Sequence, residues 1–328
     1  MVTPSALHGH GGRLGAARTA FPHAPTPWLD LSTGINPSPY PLPEISPEAW
    51  SRLPDPQDLR TLERAAARSF GVDDPDRVVA APGSDLLIRL LPRLLGVKAV
   101  TIPARTYRGH EDAWRAVGAR ISHDEDAACE ARVLVNPNNP DGRALAAEEV
   151  LGLDARWLIV DEAFVEVEPA LSVAPLAGTP RHEGRIVLRS FGKFHGLAGA
   201  RLGFLVGAPD LAARVRDALG DWPVPGPSLV VATAAYADVD WAQDMRSRLR
   251  DDAAQMDALL RLAGFVVEGG TSLFRLTSAP DAIRRFEALA RQGVLVRPFA
   301  WDETLLRFGL PGRKGDWLRL AKALEAIG

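Results

Sequence analysis

Lys193 stands in Ser190-Phe191-Gly192-Lys193, just behind the apolar run Ile186-Val187-Leu188. Most lysines are solvated surface residues. A lysine that follows a buried run, flanked by Ser190 and Arg201, can serve differently. Apolar and cationic surroundings lower an ammonium pKa and make the amine a usable nucleophile. Asp161 closes the run Leu158-Ile159-Val160. A carboxylate there is costly unless paired, so it reads either as the partner of a buried cation or as a helix cap or structural ion pair. Asn139 lies in Asn136-Pro137-Asn138-Asn139-Pro140-Asp141-Gly142. Its amide is a potential donor, although such a turn also selects Asn and Gly for backbone reasons alone. Gly83-Ser84-Asp85 follows Val78-Val79-Ala80 and opens a helical stretch. Free N–H groups at a helix start, with Ser84 as a further donor, suit a phosphate; an ordinary cap looks the same.

These residues share a position in a repeated pattern of apolar run, turn and helix. The runs are Val78–Ala80, Ala99–Ile102, Val133–Val135, Leu158–Val160, Ile186–Leu188 and Phe204–Val206. Helical spacing predicts helices over 59–70, 86–95, 110–117 and 146–151. Strands this apolar are buried on both faces, so the pattern predicts an α/β domain with a mostly parallel, doubly covered sheet. In such sheets ligands bind at the carboxyl ends of strands. After residue 227 the texture changes. A long helix over 241–262 precedes short strands near 265–267, 273–276, 294–296 and 305–308, with helices near 282–291 and 315–326. This predicts a smaller α+β domain, joined by the Gly- and Pro-rich arm at the N-terminus. The expected division is 46–220 for the large domain and 1–45 plus 221–328 for the arm and small domain.

Bulk properties narrow the field. The 328 residues exceed one compact core. The net charge of -3, with both signs mixed along the chain, suggests neither a nucleic-acid groove nor a membrane patch. Cys129 is the only cysteine, so no internal disulfide can form and a reducing, cytoplasmic setting is expected. No secretory signal is read at the N-terminus, and no apolar run approaches the ~20 residues of a membrane span. No metal-ligand spacing is seen.

In order, the motifs just named, with Gly199-Ala200-Arg201-Leu202-Gly203 and Arg307 in Leu306-Arg307-Phe308-Gly309, resemble the fold-type I pyridoxal 5′-phosphate (PLP) enzymes of the class I/II aminotransferase superfamily. The resemblance implies that Lys193 carries PLP as a Schiff base and later moves protons. It implies that Asp161 pairs with the pyridine nitrogen and keeps the ring an electron sink. Asn139 would donate to the ring 3′-oxygen and Tyr107 would stack on the ring. Gly83, Ser84, Asp85 through its N–H, Ser190 and Arg201 would hold the cofactor phosphate.

At the two ends the chain resembles the L-threonine-O-3-phosphate decarboxylases of cobalamin biosynthesis. The carriers are His10-Gly11-Gly12, the stretch Leu29-Asp30-Leu31-Ser32-Thr33-Gly34-Ile35-Asn36-Pro37, and Val296-Arg297-Pro298-Phe299. His10 and Gly11 would touch substrate, as would Asn139; Arg297 would bind its phosphate and Arg307 its carboxylate. Two anionic ends on one small amino acid need two cationic anchors. The implied reaction yields 1-aminopropan-2-yl phosphate, and a homodimer is implied. The chain departs from the family at Gly34, Leu53, Phe164 and Gly192. A histidinol-phosphate-type aminotransferase is the competing reading, separated by which bond at Cα stands perpendicular to the ring. A non-catalytic relative that kept the fold is a third.

Overall fold

The computed structural model of the protein describes residues 7, 9, 11–124, 127 and 129–327. His10 lies outside the described residues. The strands are β1 (Leu29–Asp30), β2 (Val78–Ala81), β3 (Ala99–Thr101), β4 (Arg120–Ser122), β5 (Ala131–Val135), β6 (Trp157–Asp161), β7 (Arg185–Ser190), β8 (Gly203–Val206), β9 (Val266–Thr271), β10 (Phe274–Ser278), β11 (Val294–Leu295), β12 (Arg297–Phe299) and β13 (Asp302–Gly309). The chain forms two compact units: residues 39–139 with 143–243, and the described residues of 1–38, 140–142 and 244–328. The larger unit reaches beyond the expected 46–220.

The larger unit is built on a seven-stranded sheet in the order β2-β8-β7-β6-β5-β3-β4. β4, β3, β5, β6 and β7 run parallel, while β8 is antiparallel to both β7 and β2. The class is therefore α/β with a mostly parallel sheet. Neighbouring residues on one strand feed different cores. Val78, Ala80, Leu158, Val160 and Val187 pack with Leu62, Phe70 and Leu229. Val79, Ala81, Ile159, Ile186 and Leu188 pack with Leu87, Leu91 and Leu211. Alternation with both faces apolar is the signature of a sheet covered on both sides.

The four helices expected in this unit are present, over Pro56–Phe70, Ser84–Leu95, Gly109–Ala116 and Ala147–Gly152. The first starts at Asp55, whose carboxylate accepts from the Gln57 N–H at 2.7 Å, and stops at Gly71, which is left-handed at φ 71°. The helix Gly226–Ala237 was not anticipated. Its sequence, GPSLVVATAAYA, is apolar almost all round, so no helical period stands out. It contacts the helix Pro56–Phe70.

The smaller unit carries an antiparallel sheet in the order β12-β13-β10-β9, with helices Ala282–Arg291 and Lys314–Glu325. β1 joins β11 in parallel, Leu29 opposite Val294 and Asp30 opposite Leu295. That short pairing anchors the N-terminal arm. Arg319 strengthens it by donating to the carbonyl oxygens of Gln292 at 3.1 Å, Gly293 at 3.0 Å and Pro27.

Candidate active site

In the larger unit the strand ends bring several of the expected residues together. Gly83 caps the helix Ser84–Leu95 at φ 92°, a region only glycine enters without strain. A side chain there would also meet the Arg201 guanidinium, 3.1 Å from a Cβ. Gly203 is pressed against the same turn, since a Cβ on it would lie 2.8 Å from the Gly83 carbonyl carbon. The turn is thus a tight cradle of backbone N–H groups with an arginine beside it. Helix-start donors plus a guanidinium favour an oxyanion. The residues fit a phosphate.

Asp85 accepts from Tyr107 Oη at 3.3 Å and from Arg89 Nε at 2.9 Å. Burial, then the charge of Asp85, push the Tyr107 phenol up to about 12. Its ring stands edge-on to His110, with centroids 6.1 Å apart. It also lies over the backbone of Gly109, where a Cβ would come within 2.8 Å of Cζ.

Asp161, at the end of β6, is 3% exposed. Its Oδ2 accepts from His110 Nε2 at 2.9 Å and its Oδ1 from the Ala163 N–H at 3.1 Å. His110, also buried, was not singled out from the sequence. No local signal could have found it, because the contact joins residues 51 apart. An imidazole that donates to a carboxylate fixes both its own tautomer and the carboxylate's orientation.

Asn139 is buried in a turn whose frame is well held. The Asn136 amide donates to the Leu145 carbonyl at 3.0 Å and accepts from its N–H at 2.9 Å. Asn138 accepts from Thr106 Oγ1 at 2.7 Å and donates to the Arg105 carbonyl at 2.9 Å. Ser190 ends β7 and precedes the short helix Phe191–Phe194, which carries Lys193. The Lys193 amine sits 5.8 Å from the ring centre of Phe164. A Cβ on Gly192 would come 2.5 Å from Ala198 Cα, so close packing excludes a larger residue before this lysine.

Beneath these strand ends is a buried ion-pair cluster. Arg189 donates to Glu162 at 3.0 Å and to Glu166 at 2.6 Å, with its guanidinium 4.3 Å from the Phe70 ring centre. Burial opposes the charge on Arg189, but Glu166 and Glu162 outweigh it and raise its basicity. Glu162 also accepts from Ser172 Oγ and the Val173 N–H, both at 2.7 Å. The residues next to Asp161 and Ser190 are thus tied together.

In the smaller unit, Arg297 on β12 and Arg307 on β13 are direct partners across the ladder. Arg307 is 4% exposed, donates to the Ser32 carbonyl at 3.0 Å and lies 5.0 Å from the Phe274 ring centre. Burial, then the charge of Arg297, hold its basicity well below the ordinary arginine value. Arg297 is more open. It donates to the Gly9 carbonyl at 3.3 Å and lies 5.0 Å from the ring centre of Phe299. Gly11 packs against the Ser32 backbone, where a Cβ would lie 2.8 Å from the Ser32 carbonyl carbon. Among the described residues, no group of three or more His, Cys, Asp or Glu is arranged to hold a metal ion.

A mostly parallel α/β sheet with a lysine, an aspartate and an anion cradle at its strand ends defines a class, and the sequence family agrees. The profile of the aminotransferase class I and II family matches residues 29–324. The chain belongs to that family. Within it, the chain is 40% identical to the threonine-phosphate decarboxylase of Pseudomonas aeruginosa, over 96% of each chain. It is 42% identical to that of a Sinorhizobium species, over 97% of this chain and 98% of the relative. The histidinol-phosphate aminotransferase 2 of Ralstonia nicotianae is 30% identical, over 85% and 72% of the two chains. In fold, the chain resembles the solved L-threonine-O-3-phosphate decarboxylase of Porphyromonas gingivalis, with a TM-score of 0.75 and 21% identity, covering 91% and 99% of the chains.

Proposed function

We propose that this enzyme decarboxylates L-threonine O-3-phosphate to 1-aminopropan-2-yl phosphate, using PLP held on Lys193. The observation that carries the reading is the register-matched pair Arg297 and Arg307. Two adjacent guanidinium groups, one deeply buried, suit a small substrate with two anionic ends. The near-full-length identity to threonine-phosphate decarboxylases supports it.

When bound, PLP supplies the electrophilic carbonyl and the electron sink that loss of CO₂ requires. The remaining roles fall to the chain. The N–H groups of Gly83, Ser84 and Asp85, with Ser190 and Arg201, would grip the cofactor phosphate. Asp161, oriented by His110, would hold the proton on the pyridine nitrogen. Tyr107, tethered to Asp85, would stack on the ring, and Asn139 would donate to its 3′-oxygen. Lys193 would return a proton to the substrate carbon after CO₂ departs. Phe164 packs near the lysine without offering the ring a hydroxyl donor. Arg307 would fork the carboxylate and Arg297 the phosphate; Gly11, and His10 by resemblance, would line the substrate.

We further infer a cytoplasmic homodimer. Among the described residues, no helix is long and apolar enough to cross a membrane. Leu42, Trp50 and Leu53 are 65%, 71% and 69% exposed, an apolar surface of the kind a second copy would cover. Light scattering of the pure protein checks the dimer, and a monomeric mass refutes it.

The deciding experiment incubates the pure protein with L-threonine O-3-phosphate, and separately with histidinol phosphate plus 2-oxoglutarate. CO₂ release in the first and no glutamate in the second is expected. The reverse outcome makes it a histidinol-phosphate-type aminotransferase.

A further inference from the structure

The arm that enters through β1 does more than lie beside the two arginines. Asp30 Oδ1 accepts from the Ser32 N–H at 2.9 Å and from Ser32 Oγ at 2.6 Å. Ser32 Oγ in turn accepts from the Gly12 N–H at 2.8 Å. The Ser32 carbonyl takes the donation from Arg307 Nη2 at 3.0 Å. Ser32 is 2% exposed, so water does not substitute for these partners. One residue is therefore bonded through its amide, hydroxyl and carbonyl to three separate parts of the smaller unit.

We propose that Ser32, held by Asp30, is a positioning residue that sets both the plane of the Arg307 guanidinium and the path of the Gly11-Gly12 backbone. The physical reason is geometric. A planar guanidinium forks a carboxylate only when its plane is correct, and a donor pinned to a fixed carbonyl sets that plane. Pinning the carbonyl requires the Ser32 peptide itself to be fixed, which the Asp30 carboxylate does from the other side. The same hydroxyl ties Gly12, so the arm start and the arginine move together. The proposal rests on the reading of Arg307 as the carboxylate anchor. It adds a determinant of substrate affinity lying outside the strands that carry the arginines.

The test uses full-length holoenzyme and three variants. Ser32→Ala removes the hydroxyl and keeps the carbonyl. Asp30→Ala removes the acceptor. Asp30→Asn keeps an amide oxygen in the same place. A lost buried hydrogen bond weakens binding about tenfold. The expected result is a KM for L-threonine O-3-phosphate about tenfold higher in Ser32→Ala and Asp30→Ala, with a smaller change in kcat, and recovery to within about threefold in Asp30→Asn. The double variant Asp30→Ala/Ser32→Ala should be no worse than either single one. Two readouts do not depend on turnover. The Kd of L-threonine O-3-phosphate on borohydride-reduced holoenzyme should follow the same order. Hydrogen exchange at the Gly12 amide should quicken in Ser32→Ala without substrate. If wild-type enzyme releases no CO₂ yet Gly12 exchange and Kd move as stated, the functional reading fails and the positioning role stands. An unchanged Kd with unchanged Gly12 exchange in folded Ser32→Ala overturns the proposal. So does an Asp30→Asn variant as impaired as Asp30→Ala.

Discussion

As proposed anion sites, the two clusters are built in opposite ways. In the larger unit the groups come from the ends of separate parallel strands and from the start of one helix. Backbone N–H groups predominate there, and Arg201 stands beside them, exposed. In the smaller unit the cations are side chains on adjacent antiparallel strands, and Arg307 is buried against an aromatic ring. The first cluster suits an anion that stays, because little charge has to be desolvated to receive it. The second holds a buried guanidinium beside a like charge, a costly arrangement that an incoming anion would relieve. On the proposed function, a resident cofactor phosphate would occupy the first environment and an exchanging substrate the second.

The comparison breaks most completely at Lys193. Lys193→Ala should abolish turnover and remove the yellow, borohydride-bleachable chromophore, while circular dichroism stays native. Retained turnover with that chromophore would move the chemistry to another amine and leave the larger-unit cluster without its centre.

The ion-pair cluster beneath the strand ends tests whether that platform is rigid. Arg189→Ala strands Glu162 and Glu166 in the interior. Removing one partner of a buried pair typically costs about 3–5 kcal/mol, so a large fall in denaturation midpoint is expected. A midpoint near wild type would mean that water or relaxation replaces the arginine.

The two arginines sharpen the comparison from the other side. Arg297→Ala should lower kcat/KM for L-threonine O-3-phosphate by about 10²-fold and barely affect unphosphorylated L-threonine. Arg307→Ala should impair both, because both carry the carboxylate, and some transamination should appear. An equal loss for both substrates in Arg297→Ala would remove its role as the phosphate anchor.

The smallest effect is a titration. All three tyrosines, Tyr40, Tyr107 and Tyr236, have phenols raised by burial. Ordinary tyrosine is half ionised near pH ~10. The folded protein should show little phenolate absorbance there, with Tyr107 titrating at about 12. The sign follows by linkage. The folded state holds the proton more tightly, so this contribution to stability is intact below pH ~10. It declines as pH rises through 10 toward 12, because the unfolded chain ionises first. Full phenolate absorbance at pH ~10 in a folded sample would contradict the buried Tyr107–Asp85 contact.

Much of the larger-unit cluster was legible in the sequence. Fully buried parallel strands write themselves as short apolar runs, and a polar residue that ends such a run is conspicuous. Asp161 and Ser190 stand out in this way, and Asn139 and Lys193 follow within a few residues of a strand end. The run of β8 was legible but its antiparallel direction was not, because a four-residue buried strand reads alike in either direction. Nor was the helix Gly226–Ala237, whose apolar surface carries no period. Gly192 looked like a departure until the close approach of Ala198 explained it.

By itself the sequence determined the chemistry available: one lysine after a buried strand, an aspartate at the end of another, a glycine-opened helix and two arginines near the C-terminus. These are local facts, set by residue type and by the two-residue and 3.6-residue periods of strand and helix. Only the tertiary structure decided the partners: His110 on Asp161, Glu166 on Arg189, and the Ser32 carbonyl on Arg307. Those contacts join residues 51, 23 and 275 apart. A pattern along the chain encodes which face of an element is buried, whereas the partner of a buried polar group is set by how distant elements pack.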